Sequence, residues 1–303
     1  MARSRKLKPF LCFDCQINKL VDRGLIDDEN NLRNHLRNEN YYRFSGYLLN
    51  YKSLNSNGSE TYNGLLVSEV YKLQEAELAL RMMLMEVISH VETSLRTYIA
   101  YTFANLYGSL GYYYKENFQK NYLQNGLIET IEKRKNQNDA MRFIRHHKLH
   151  FEGQLPIWIV VELMTFENLI SYLYNNLHKE AKDKIQSEFV DISPKRLGKW
   201  LWQIKNLRNE CAHHFRIFDS KREKILIPDK MKAFHLIGSD WETSASTIFG
   251  YLCVMKYIIN NEVLWNSCLT RIRDYILDYS EIIPLSTLGF PINWEDILDS
   301  VIS

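Results

Sequence analysis

Residues 67–107 read VSEVYKLQEAELALRMMLMEVISHVETSLRTYIAYTFANLY. Leu73, Leu80 and Val87 recur every seven residues, and Leu84, Val91 and Tyr98 form a companion row beside them. Apolar residues at that period line one side of an α-helix. The stretch has the length of a single long helix, and Gly108 and Gly111 mark its end. Helical periodicity dominates the rest of the chain as well, so the predicted class is all-α.

A second helix is expected to start at Pro156, because a proline is favourable in a first turn, where its missing N–H would have had no partner. It should carry Trp158, Val161, Leu163 and Phe166 toward the core and fade near Asn175–Leu177. A third begins at Ser193-Pro194, a cap followed by a first-turn proline. It runs through Leu197, Leu201, Ile204 and Leu207, leaving Asn206, Asn209 and His213 on the other side. A fourth helical region covers about 245–279 in two segments broken near Asn260–Asn266. Beta signals are weak: residues 224–228 suit a short extended piece or a small hairpin. In the first 60 residues, short helices are expected over 14–22, ending at Gly24, and over 27–37. The aromatic segment Tyr41-Tyr42-Arg43-Phe44-Ser45-Gly46-Tyr47 follows, and a loop rich in Asn, Ser and Gly over 53–64 leads to the long helix. The organisation this suggests is an N-terminal helical appendage, 1–62, and a helical domain, 63–303.

The chain has 303 residues and is 46% hydrophobic, enough for a substantial core in one large or two small domains. Its formal charge is only +2, so global charge announces no nucleic-acid partner. Local charge is more telling. Residues 133–150 hold Lys133, Arg134, Lys135, Arg142, Arg145 and Lys148 against the single acid Asp139, and Arg3, Arg5, Lys6 and Lys8 crowd the first eight positions. Such runs are usually solvated faces, but they are also the first candidates for phosphate contacts. Arg43 among tyrosines could similarly clamp a phosphate while the rings stack on bases, although aromatics of this kind more often pack against a core.

The five cysteines are scattered and odd in number, which points away from a disulfide framework and toward a reducing compartment. Cys12-Phe13-Asp14-Cys15 has a C-x-x-C spacing, but no second pair completes a zinc site and no thioredoxin-like strand pattern surrounds it. No metal site is expected there or at His146, His147 and His150. The basic start is not followed by an apolar stretch, and no run of 18 apolar residues could span a membrane, so the expectation is a cytoplasmic protein with no membrane partner.

The most compact chemistry lies at the end of the third helix, where residues 208–214 read Arg-Asn-Glu-Cys-Ala-His-His. Arg208 can neutralise a phosphate through its planar fork of donors. His213 can move a proton in either direction near neutrality. Asn209 and His213, four residues apart, share a helix face, so the amide is placed to orient the imidazole. That set suffices to cut RNA without a metal, with the strand's own 2′-hydroxyl as nucleophile. His214 turns about 100° away and is a weaker candidate. An isolated match of this kind would more often be an exposed polar helix end.

Arg-Asn-x-x-x-His resembles the motif of HEPN-type ribonucleases, and the longer string Leu207–His214 resembles that of the Abi family of bacterial abortive-infection proteins, the AbiD and AbiF group. Three further segments match in order: Lys8-Pro9-Phe10 through Gln16 and Arg23-Gly24-Leu25 to Asn40–Tyr47; Leu155–Phe166; and Leu288–Trp294. The resemblance implies a HEPN-like helical bundle and a role in stopping phage. It implies a metal-independent endoribonuclease with no cofactor, in which Arg208, Asn209 and His213 act in a composite site across a homodimer. It implies an association with a small structured, noncoding RNA. The competing class is a ribonucleoprotein component that holds such an RNA without cutting it. Glu92 and Arg96, matched by the same resemblance, can pair at i, i+4 on the long helix and could also help to orient Arg208.

Overall fold

The computed structural model describes residues 9–228 and 241–299. The basic residues Arg3, Arg5, Lys6 and Lys8 lie outside them. Among the described residues the one ladder is antiparallel, pairing β1 (Ser53–Leu54) with β2 (Glu60–Thr61), and all other regular structure is helical. The fold is all-α. The chain divides into two compact units, Met1–Ala79 and Leu80–Ser303, and the division falls inside the long helix Val67–Tyr107. Both apolar rows read from that helix are buried.

The first unit contains α1 (Phe13–Val21), α2 (Leu32–Asn38), α3 (Tyr41–Tyr47) and the start of the long helix, α4 (Val67–Tyr107). The helix expected over 27–37 begins only at Leu32, because the Asp27 carboxylate accepts from the backbone N–H groups of Asn31 and Leu32 and holds a turn ahead of it. The aromatic segment forms α3, started by Asn40, whose side chain accepts from Tyr42 N–H at 2.7 Å. Phe44 and Tyr47 point inward and Tyr42 outward. The Tyr47 hydroxyl donates to the fully buried Glu77 at 2.5 Å. Glu39 gathers His35 at 2.7 Å, Arg43 at 2.8 Å and Gln74 at 2.6 Å. Burial alone would raise the Glu39 carboxyl, but those hydrogen bonds and the neighbouring positive charge outweigh it and lower its pKa.

The second unit contains the rest of α4, then α5 (Asn121–Gln137), α6 (Arg142–His150), α7 (Ile157–Leu163), α8 (Phe166–Asn168), α9 (Lys179–Glu188) and α10 (Pro194–Ala212). It ends with α11 (Trp241–Ser244), α12 (Ile248–Ile259), α13 (Glu262–Tyr279) and α14 (Trp294–Asp299). The single helix expected from Pro156 is broken. Met164 and Thr165 are extended, and the Thr165 hydroxyl caps α8 by accepting from Asn168 N–H at 3.2 Å. Beyond α8 the chain continues as a wide π-turn, Leu169–Leu173. Trp158 is not in the core either, being 52% exposed, because α7 buries Ile157, Val160, Val161 and Leu163 and leaves 158 on the outer side.

The break in the fourth helical region falls at Asn260, which adopts a left-handed conformation (φ +41°) and donates from Nδ2 to Phe189 O at 2.7 Å. Residues 224–228 have no ladder partner among the described residues, with Ile225 and Ile227 buried and Leu226 exposed. Gly289, in the turn before α14, has φ +78°, and a Cβ there would lie 1.9 Å from Thr247 Oγ1. No side chain fits that position without moving the turn.

Candidate functional site

The Arg-Asn-Glu-Cys-Ala-His-His string begins on the last turns of α10 and runs two residues past its end. Pro194 sits in the first turn of the helix, and Leu197, Trp200, Leu201, Ile204, Leu207 and Cys211 are buried along one side. That side packs against α8, α9 and α12. Lys205 is also buried, with Nζ 3.8 Å from the Trp202 ring centroid and 3.8 Å from Glu167 on α8. The tip of the helix is thus fixed from below while its outer face stays open.

The helix stops at Ala212, and the stop decides where the imidazole stands. His213 N–H donates to Asn209 O at 2.9 Å, keeping the helical course for one more residue. His214 then turns left-handed (φ +58°). Its N–H donates to Cys211 O at 3.2 Å, and Phe215 N–H donates to Glu210 O at 2.9 Å. This pair of bonds is a Schellman closure, with histidine where glycine is usual. It leaves the side chains of His213, His214 and Phe215 exposed at the helix end, with the His213 and Phe215 rings 6.2 Å apart.

The chain after the motif is clamped back onto the helix by Arg222. This side chain is only 4% exposed, and its Nε donates to Glu210 Oε2 at 2.8 Å. Its other nitrogens donate to the carbonyls of Ile217 and Ser220 and to Ser220 Oγ at 3.0–3.1 Å. Gln203 Nε2 donates to Glu223 O and Lys224 O, and Trp200 Nε1 donates to Leu226 O at 2.9 Å. A cavity of about 460 Å³ opens beside this clamp, lined by Gln203, Asn206, Glu210, Phe215, Arg216 and Tyr251 among others. Gln203 Oε1 is buried with no hydrogen-bond partner among the described residues.

Arg208 is half-buried. Its Nη1 lies 3.4 Å from Asn209 Oδ1, and among the described residues it pairs with no carboxylate. The Asn209 amide therefore faces the guanidinium, and no hydrogen bond joins it to the His213 ring among the described residues. Five helical positions separate Arg208 from His213, about 140° around the axis, and no hydrogen bond joins the two side chains among the described residues. Glu92 and Arg96 are paired on α4, and Arg96 also donates to Val161 O and to Met164 O, the latter at 2.9 Å. Arg96 thereby satisfies free carbonyls at the end of α7, and no hydrogen bond takes it to Arg208.

A family model described as Abi-like protein matches residues 34–219, more than half of the chain. The chain belongs to the Abi-like family. The matched region runs from α2 to just past the Arg-Asn-Glu-Cys-Ala-His-His string, and it includes α3 and the α7–α8 break. Abi-like membership points to abortive infection, the defence in which an infected cell stops phage. No curated protein and no solved structure matches the chain.

The remaining candidates from the sequence fall outside the α10 tip. Arg43 on α3 is engaged by Glu39. Arg142 and Arg145 are exposed on α6 with no ion pair within 4 Å among the described residues, and Lys148 on the same helix pairs with Asp139 at 2.8 Å. His147 Nδ1 is buried with no hydrogen-bond partner among the described residues, and burial lowers that imidazole's pKa, with the charge of His146 adding to the effect. Among the described residues no three His, Cys, Asp or Glu side chains are grouped to hold a metal ion. No helix there is long and apolar enough to cross a membrane. Sequence reasoning did not find Arg222, Gln203 or Phe215, because no spacing rule ties them to the motif; Arg222 and Phe215 are placed by the turn that follows, and Gln203 is engaged only by the chain that returns from it.

Proposed function

We propose that this Abi-like protein is a metal-independent endoribonuclease of the HEPN type, related to the AbiD and AbiF group, acting in phage defence. The observation that carries the reading is the tip of α10. There a guanidinium with no carboxylate partner among the described residues and an exposed imidazole share one rigid helix end beside a cavity. A group that neutralises phosphate and a group that moves protons are the two parts such a reaction needs.

The reaction uses the RNA's own 2′-hydroxyl. An imidazole takes its proton, the oxygen bonds to the adjacent phosphorus, and the bond to the 5′-oxygen breaks as that oxygen takes up a proton. Arg208 stabilises the charge gathering on the non-bridging oxygens, and Asn209, facing the guanidinium, positions it. Arg208 and His213 point in different directions from one helix, which supports a homodimer in which two copies complete the site between them. The products carry a 2′,3′-cyclic phosphate and a 5′-hydroxyl. End-group analysis of RNA incubated with the purified protein tests this: 3′-hydroxyl and 5′-phosphate ends would exclude the mechanism.

A second reading, in which the protein holds a small structured RNA without cutting it, is favoured by α6, where Arg142 and Arg145 stand exposed and form no ion pair among the described residues. Phosphate contacts release counterions, by about 0.7 log units of affinity per contact for each tenfold change in salt on single strands. Reversing Arg142, Arg145 and Lys148 to Glu is expected to weaken RNA binding and flatten the salt slope by roughly 2 log units. Filter binding across a salt series measures both. Unchanged affinity at every salt concentration would make α6 a solvated face and place the RNA elsewhere.

A further inference from the structure

The N-terminal unit holds a pair of thiols that the nuclease reading does not use. Cys12 is the residue immediately before α1, in extended conformation, and Cys15 lies in the first turn. The Cys12 sulfur accepts from the backbone N–H of Cys15 at 3.4 Å, and the two thiols are hydrogen-bonded to each other with their sulfurs 2.9 Å apart. A disulfide bond is about 2.05 Å long, so these sulfurs stand within about 1 Å of bonding distance.

The other cysteines behave oppositely. Cys211, Cys253 and Cys268 are buried, whereas Cys12 and Cys15 are exposed. Burial pushes the Cys253 thiol up to about 12 and that of Cys268 to about 11. The hydrogen bond from Cys15 lowers the Cys12 thiol and, by the same interaction, raises that of Cys15. Asp14, between them, works against the Cys12 thiolate, but its carboxylate is paired with Arg33. One sulfur is thus disposed to attack and its neighbour to follow.

We propose that Cys12 and Cys15 are a reversible dithiol–disulfide site, oxidised stoichiometrically by a low-molecular-weight disulfide. The Cys12 thiolate attacks one sulfur of the small disulfide and expels the other as a thiolate, leaving a mixed disulfide at Cys12. The Cys15 sulfur, losing its proton, then attacks Cys12 Sγ and releases the second small thiolate. One small disulfide is reduced to two thiols while two protein thiols become one disulfide, so atoms and electrons balance.

The test equilibrates the full chain in glutathione buffers of increasing disulfide content, alkylates the remaining free thiols and identifies the peptides by mass. The expected result is a peptide containing Cys12 and Cys15 that is two hydrogens lighter, resists alkylation and recovers it after dithiothreitol. Cys211, Cys253 and Cys268 should stay reduced and react only after unfolding. Cys15→Ser should instead hold glutathione on Cys12 as a stable mixed disulfide. The proposal is overturned if both thiols remain alkylatable at the most oxidising ratio, if wild type stops at the mixed disulfide, or if Cys15→Ser takes up no glutathione.

Discussion

His213→Ala is expected to lower RNA cleavage by about 10²–10⁴-fold, the usual loss when a general acid–base is removed. Growth arrest on expression should disappear with it. The ring is exposed and lies beyond the last helical residue, so its removal opens no cavity in the core. Melting temperature and helical circular dichroism should therefore match wild type, and binding of intact RNA should change little. Because the nucleophile belongs to the RNA, a chelator is expected to leave wild-type cleavage unchanged. Full activity in the variant, or loss of wild-type activity with chelator, would rule out the assignment.

The second large effect is expected at a residue that touches no substrate. Arg222→Ala removes a buried guanidinium holding four acceptors around the turn after the motif. Breaking a buried ion pair by deleting one partner costs about 3–5 kcal/mol, and the partial exposure of Glu210 places this case at the low end, about 3 kcal/mol. For a unit of this size that corresponds to roughly 6–12 °C in melting temperature. Glu210→Gln, which keeps an acceptor for Arg222, should cost much less. Calorimetry or a thermal melt of the two variants decides. Equal stability of Arg222→Ala and wild type would mean that the clamp is not what holds the turn.

Much of this architecture was legible before the structure. The rows of α4 and the start of α10 at Ser193-Pro194 stand out because long helices repeat their apolar period many times and because caps have chemical preferences. The break after α7 was hidden because its cause is a single hydroxyl: Thr165 can sit in a helix or cap one, and only its bond to Asn168 N–H distinguishes the two. Trp158 is expected in the core together with Val161, Leu163 and Phe166, but only the other three are buried. Helices α5, α6 and α9 were not anticipated, since each is short of apolar residues and buries only a few of them.

At the candidate site, the sequence shows the candidate groups but not their partners. The i, i+4 spacing put Asn209 and His213 on one face, yet the amide turns to Arg208, because direction within a face depends on rotamer and on neighbours. Glu210 reads as one more polar residue of the string, and its bond to Arg222 becomes visible only once the chain has turned back. Phe215 was invisible as part of the site for the same reason: its exposure beside His213 follows from the reversal at His214.

That reversal makes the spot intolerant of changes in chain length. His213 holds the last position whose bearing the helix dictates, and the next residue already heads back. One extra residue before His213 would swing the imidazole about 100° around the axis, and one fewer would swing it as far the other way. Loops elsewhere absorb insertions by bulging, but here the count from Arg208 sets a compass bearing.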